Sequence, residues 1–384
     1  MNNLSSQCAP TSRRTNRFSP YAMAPSSGCI KPAISSAVRN FQDPWQHQAF
    51  FRGADMRALV TATGEYRSAL TRIDLHRLWM QQSEASLPYI MHLTNTFNRC
   101  AIGFVADPQQ APSYHNGSQI LPNTIVVASI GSDHHCRVMG PSRFAMMSLT
   151  PADLAVASHA LTGRELTGPL ETRHIHVSDQ AITRLRRLHE TACHLAADAP
   201  EILAHPNVAK ALEEELIHAM VGCLVEAAVS ERKTSSHLRM PVMQRFERAI
   251  GEAEDQPLYL AEVCAKIGVQ ERTLRNHCLE YLGMSPHRYL WLRRMDQARR
   301  ALSLADSEEK TVTTIANDCG FWELGRFSVA YRKLFGESPS TTLRKAAEHV
   351  QITPHSAVRA GGLAILPQRA FVAARGRRWK CGAP

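Results

Sequence analysis

Apolar side chains recur every fourth position in two stretches of the C-terminal part of the chain. Leu274, Cys278 and Leu282 form the first stretch, and Phe327, Tyr331 and Phe335 repeat it 53 positions later. Positions i, i+4 and i+8 lie on one face of an α-helix, so each stretch predicts a helix with one buried side.

A shorter apolar segment with a shared layout precedes each of these predicted helices. Cys264 is followed four places later by Gly268, and Ala316 is followed four places later by Gly320. Two helices that cross steeply need a small residue at their contact and a glycine in the short turn between them. The paired layout therefore predicts two helix-turn-helix motifs.

Both predicted helices end in the same way. The segments are Gly283–Pro286, which reads Gly-Met-Ser-Pro, and Gly336–Pro339, which reads Gly-Glu-Ser-Pro. Glycine favours the left-handed position after a helix, while Ser followed by Pro favours the start of the next helix. A helix from Pro286 would join the two motifs and hold them about one DNA turn, roughly 34 Å, apart.

The N-terminal part has a different pattern of apolar residues, which predicts strands followed by helices. Short apolar runs separated by turn residues predict strands near 68–75, 89–93, 101–105, 124–128 and 144–149. Helical patterns follow from Pro151, from 179 to 197 and from 207 to 231, and the last carries an apolar stripe through Leu216 and Met220. That stripe suits either a dimer contact or packing within the domain.

Charge and composition limit the classes of protein. The net charge of +10 comes mostly from the two ends, since residues 1–40 and 346–384 each carry a net +5, whereas 241–345 carries only +2. The basicity therefore does not by itself indicate DNA binding. Ten scattered cysteines without a Cys-x-x-Cys pair indicate a reducing cytoplasm. Neither a membrane span nor a signal peptide is expected.

These patterns divide the chain into five parts. We expect a disordered segment at 1–40, a mixed β and α domain at 41–232, a linker at 233–240, an all-α domain at 241–345 and a disordered basic tail at 346–384.

The second motif resembles that of the AraC/XylS family of bacterial transcription regulators. The matching positions are Gly320, Phe321, Phe327, Ser328, Tyr331, Leu334, Phe335, Gly336, Ser338 and Pro339. The resemblance is specific over roughly 240–345 and diffuse over 45–235. It implies an α+β chain with a cupin-like β-barrel for effector binding or dimerisation, followed by two helix-turn-helix motifs. It also implies RNA polymerase as a partner. Cys278 departs from the family, which usually has an aromatic residue there, and Asn276 stands where Arg is common.

The helical phase assigns the side chains that face DNA. With Leu274 at the centre of the buried stripe, Arg272 and Asn276 point away from it, flanked by Thr273 and Arg275. In the second motif Val329 lies opposite Phe327, with Arg326 and Ser328 on the flanks, and we expect these three to read bases. Arg332 and Lys333, further along, are expected on phosphates. The structural core of the motifs is then expected at Cys264, Gly268, Leu274, Ala316, Gly320, Phe321, Phe327, Tyr331, Phe335 and Pro339.

The sequence gives little evidence for a metal site or for catalysis. His134, His135 and Cys136, and the pair His174 and His176, are candidate metal ligands, but a matching Glu and further His are missing, so no metal or cofactor is expected. No nucleophile or phosphate-loop motif occurs, so no enzyme is expected. A ligand pocket inside the barrel, near Leu70, Leu75, Met91, Phe104 and Val126, is an alternative to a filled core there.

The sequence thus predicts an effector-responsive, sequence-specific transcription regulator in the bacterial cytoplasm, bound to double-stranded DNA at the nucleoid. Two alternatives remain. The first is a cupin-type binding protein or enzyme whose C-terminal helices only support assembly. The second is a non-specific architectural DNA binder.

Overall fold

The computed structural model describes residues 34–230, 240–253, 258–305 and 310–351. The N-terminal region (34–230) contains β-sheets and helices, and the C-terminal domain (240–351) is all-helical, which gives a mixed α+β chain. Residues 233–239 of the linker predicted at 233–240, and most of both predicted tails, lie outside these ranges, and Met240 begins the first helix of the C-terminal domain. None of the described helices is long and apolar enough to cross a membrane.

The N-terminal region has twelve strands in two antiparallel sheets. The strands are β1 (Ser35–Phe41), β2 (Ala54–Val60), β3 (Ser68–Asp74), β4 (Trp79–Ala85), β5 (Tyr89–Asn95), β6 (Cys100–Val105), β7 (Ser113–His115), β8 (Ser118–Ile120), β9 (Thr124–Ala128), β10 (Asp133–Val138), β11 (Ser142–Leu149) and β12 (Arg173–His176). One sheet has the order β1-β3-β4-β11-β6-β9-β12, and the other has the order β2-β5-β10-β7-β8.

The expected closed barrel is wrong. Hydrogen bonds do not join the two sheets into a ring, although apolar side chains from both sheets pack together, as Val105 and Val126 do with Ile120. The expectation that residues 1–40 lack structure is wrong for 35–40, because β1 pairs with β3 from Ser35 opposite Asp74 to Phe41 opposite Ser68. This long-range pairing gives a polar segment backbone partners that its local sequence does not reveal.

One face of the seven-stranded sheet is covered by α2 (Pro151–Thr162), α3 (Asp179–Asp198), α4 (Pro200–Leu203) and α5 (Pro206–Ser230). The short helix α1 (Pro44–Phe50) instead contacts β2, β3 and β1, and its His47 is within hydrogen-bond distance of Ser68 and Ser83. The apolar stripe of α5, with Leu216 and Met220 fully buried, packs within this domain against α3. Leu70, Leu75 and Phe104, which were candidates for lining a ligand pocket, are likewise fully buried.

The C-terminal domain has seven helices among its described residues. They are α6 (Met240–Gly251), α7 (Leu260–Ile267), α8 (Glu271–Leu282), α9 (Pro286–Leu304), α10 (Val312–Asp318), α11 (Leu324–Phe335) and α12 (Pro339–Gln351). Helix α12 therefore continues into the segment expected to be a disordered tail. Two apolar clusters lie side by side, one around α6, α7 and α8 and one around α10, α11 and α12, and α9 contributes to both.

Candidate DNA interface

The first motif consists of α7 and α8, joined at Gly268. Gly268 follows α7 with φ 68°, a left-handed conformation that favours glycine, and it turns the chain into α8. Leu274 and Cys278 are fully buried, as the stripe predicts. Burial raises the pKa of the Cys278 thiol well above its ordinary value, so this side chain acts as a small apolar packing group.

The polar side of α8 faces solvent. The four side chains assigned to base reading, Arg272, Thr273, Arg275 and Asn276, are all exposed. They lie in the first half of the helix, which is the part that enters the major groove in helix-turn-helix proteins. Arginine matches the paired acceptors of guanine, and asparagine matches the acceptor and donor of adenine. The helix therefore presents two side chains able to discriminate bases where such groups are needed.

A row of aromatic rings in tilted and edge-on contact supports the second motif. The ring centroids of Phe327 and Tyr331 are 5.6 Å apart, and those of Tyr331 and Phe335 are 4.7 Å apart. The hydroxyl group of Tyr331 is within hydrogen-bond distance of the Thr342 hydroxyl, at 2.9 Å, which ties α11 to α12. Pro339, the first residue of α12, is buried, and Ala316 is buried at the crossing between α10 and α11.

The exposed side of α11 carries fewer polar groups. Arg326 is exposed and forms an ion pair with Glu323 at 2.9 Å, while Ser328 is half-buried. Val329 is 71 % exposed, a position suited to a thymine methyl group. Arg332 and Lys333 are exposed in the last turn, the part of the helix suited to phosphate contacts.

Three residues that were assigned to the structural core of the motifs are only half-buried. Cys264 is half-buried against the first apolar cluster, and Phe321 and Phe335 are half-buried against the second. Gly320 follows α10 with φ 75°, the same left-handed conformation as Gly268. Each motif therefore keeps the backbone geometry that its glycine predicts. The crossing is partly open to solvent in the first motif, at Cys264, and closed in the second, where Ala316 is fully buried.

The expected ends of the two recognition helices are present. Gly283 and Gly336 follow α8 and α11 in the left-handed conformation, with φ of 69° and 78°. Ser285 caps the start of α9 by accepting a hydrogen bond from the backbone N–H of Arg288 at 3.3 Å. Ser338 caps α12 in the same way. These short signals were readable from the sequence because they depend on local backbone conformation.

A buried polar network lies beside the first motif and was missed at the sequence level. Tyr289 donates a hydrogen bond to Glu247 at 2.7 Å, and Arg293 lies 3.4 Å from the same carboxylate. Burial alone raises the pKa of Glu247, but the neighbouring His135, Arg293 and His92 outweigh it and bring the pKa to about 2. The carboxylate is therefore ionised inside the protein. Glu247 lies on an amphipathic helix, and nothing in its local pattern distinguishes it from a surface residue.

The candidate metal ligands lie in the N-terminal region, where two of them, His134 and His174, each contact His115. His115 is within hydrogen-bond distance of His174 at 2.6 Å and of His134 at 2.8 Å, and burial lowers the pKa of His134 to about 4. His176 is 3.1 Å from the Thr124 hydroxyl. Within the described ranges no group of three or more His, Cys, Asp or Glu side chains is arranged to hold a metal ion.

Comparisons with known proteins agree with this geometry. A family model described as a helix-turn-helix domain matches residues 263–345. The probable thc operon regulatory protein of Rhodococcus erythropolis is 38% identical over 152 residues, covering 38% of this chain and 45% of that protein. The XylDLEGF operon transcriptional activator of Pseudomonas putida is 32% identical over 110 residues, covering 29% and 34%. Residues 263–345 are a helix-turn-helix domain of the AraC/XylS family.

The AraC/XylS similarity is concentrated in the C-terminal domain. The chain spans less than half of the length of the two curated relatives named above. Among solved structures, the AraC-like transcriptional activator CuxR aligns with 70% of this chain and 96% of its own, at 15% identity and a TM-score of 0.36.

Proposed function

We propose that this protein is a sequence-specific transcription regulator that reads two adjacent major grooves of double-stranded DNA with α8 and α11. The observation that supports this proposal is that both helices have one buried face and one exposed face. Each buries its apolar stripe, through Leu274 in α8 and Phe327 in α11, and exposes its opposite face. Arg272 and Asn276 on that face supply base-reading groups.

Selection from a random DNA library tests this proposal. Duplexes recovered by the full-length protein are expected to share two short conserved blocks with centres about 10 base pairs apart, because each subunit places two recognition helices one turn apart. One block, or enrichment that tracks only base composition, would contradict two-groove reading. Equal recovery of all sequences would favour the architectural DNA binder instead.

We further propose that the N-terminal region binds a small-molecule effector between its two sheets. A cavity of about 50 Å³ lies there, and Trp79, Phe97 and Met146 contribute to its lining. The Trp79 ring is contacted by the guanidinium groups of Arg52 and Arg99, at 3.4 and 3.9 Å from its centroid. A ligand that raises the melting temperature and changes DNA affinity would support this role.

We propose two further partners on the basis of the similarity to AraC/XylS regulators. They are a homodimer, tested by sedimentation at rising protein concentration, and bacterial RNA polymerase, tested by transcription in vitro from a selected promoter. In this account the protein acts in the bacterial cytoplasm, on the nucleoid.

A further inference from the structure

The N-terminal region contacts the end of the first recognition helix. Arg137 on β10 lies against Gly283, the residue that follows α8, and its guanidinium group occupies the space that a side chain at position 283 would need. The His135 ring, on the same strand, stands edge-on to Tyr281 near the end of α8, with centroids 6.2 Å apart. Strand β10 therefore holds α8 at its C-terminal end.

A second contact reaches the end of the other recognition helix. Asp43, just before α1, forms an ion pair with Arg299 on α9 at 2.5 Å, and both side chains are largely buried. The Arg299 guanidinium lies over the ring of Phe335, 4.7 Å from its centroid, and Phe335 is the last residue of α11. Asp43 is thus connected to the end of the second recognition helix through Arg299.

Apolar and polar contacts continue between these two points. Leu59 and Ile90 of the N-terminal region belong to the same apolar cluster as Phe246 and Leu282 of the C-terminal domain. His135 lies 3.6 Å from Glu247, and both side chains are almost fully buried. The N-terminal region therefore contacts the C-terminal domain at the end of α8, at α6 and at α9, next to the end of α11.

The contacts leave the DNA-reading surface free. Arg272 and Asn276 on α8, and Arg326 and Val329 on α11, are all exposed while the two parts of the chain are docked. Docking therefore does not cover the reading side chains. By contrast, the two motifs have separate apolar clusters, which are joined within the domain by α9 and by Met284.

We propose that the N-terminal region is a brace that fixes the relative orientation of the two helix-turn-helix motifs and thereby tightens simultaneous binding to two grooves. This inference rests on the proposed function. The physical reason is preorganisation, because two motifs already held in the bound geometry lose less conformational freedom on binding. Asp43 and Arg137 are positioning residues in this account, since they act through α9 and the end of α8.

Binding of full-length variants to two duplexes tests the brace. The first duplex is the tightest binder recovered from a random library by the wild-type protein, and in the second the block read by the second motif is scrambled. The variant combines Asp43→Asn with Arg137→Ala, and the control combines Asp198→Ala with Arg164→Ala, two exposed positions of the N-terminal region.

We expect the variant to bind the intact duplex about tenfold more weakly than wild type, and the scrambled duplex with unchanged affinity. The control should match wild type on both, and restoring the carboxylate as Asp43→Glu in the presence of Arg137 should recover most of the affinity. Equal losses on both duplexes, no loss, or tighter binding would overturn the brace. Wild-type protein that binds all DNA alike would overturn the proposed function and the brace with it.

Discussion

The rings of Phe321 and Phe327 face each other with centroids 4.9 Å apart, which joins the turn of the second motif to its recognition helix. Phe321 immediately follows Gly320, and Phe327 is 3 % exposed in the first turn of α11. The angle at which α11 leaves the turn is therefore set by an aromatic contact at its start, next to the side chains assigned to bases.

Removal of the Phe327 ring should destabilise the protein. Phe327→Ala leaves a cavity under α11, and we expect a loss of about 3–5 kcal/mol in the free energy of unfolding. Arg326→Ala is the adjacent control, because its ion pair with Glu323 is exposed and such pairs contribute little. Thermal and urea unfolding measure both. A larger loss for Arg326→Ala would show that the helical phase is wrong.

Asp296 on α9 should make stability depend on pH. Burial raises the pKa of its carboxyl group to about 6, even though Arg299, Arg300, Arg293 and Arg57 favour the ionised form. In the unfolded chain the group ionises near its ordinary value of 3.8. Between these two values the folded state binds more protons than the unfolded state, so stability falls as pH rises from about 4 to about 6.

Replacement of this carboxyl group by a neutral amide removes that dependence. Asp296→Asn should match wild type in stability near pH 4 and exceed it by about 3 kcal/mol at pH 7, because about 1.4 kcal/mol per pKa unit applies between 3.8 and about 6. Urea unfolding at several pH values gives the comparison. A variant that is less stable than wild type at pH 7 would show that the ionised carboxylate stabilises the fold.

The isolated fragment 236–345 should bind specific DNA alone, though weakly, because it contains every side chain assigned to the two grooves. Its affinity should fall at least about tenfold between about 50 mM and about 200 mM salt, since phosphate contacts release counterions. Fluorescence anisotropy with specific and scrambled duplexes measures both effects. A folded fragment that is indifferent to salt and to sequence would contradict the assignment.

The sequence predicted the local features of the C-terminal domain well. The buried stripe through Leu274 and Phe327 follows from helical spacing, and the glycine and serine caps follow from backbone preferences. The start of α9 at Pro286 was predicted as well. These features depend on residues a few positions apart, so one sequence contains enough information to find them.

Features that depend on distant partners were not predictable. Strand β10, which includes His134 and His135, has a polar sequence, and its pairing with β5 sets its position. The prediction of a closed barrel was wrong for the same reason, because the pairing of strand edges depends on the whole sheet. Glu247, His135 and the Asp43–Arg299 pair come from segments far apart in the chain.

The base-reading role of Arg272 is the centre of the functional account. Arg272 is exposed near the start of α8, opposite the buried Leu274. If it binds a base edge, Arg272→Ala should cost about 1–3 kcal/mol of binding free energy on the native site and relax the preference at one base pair. Lys333→Ala is the control, and it should weaken binding to all sequences evenly and lower the salt slope by about one unit.

The decisive measurement is the binding of the Arg272→Ala protein to a complete set of single-base variants of its selected duplex. We expect that wild-type discrimination disappears at one base pair and persists at the others. An equal loss of affinity for every duplex would instead make Arg272 a phosphate contact, and would contradict the reading face assigned to α8, with the base-reading role then moving toward Arg275.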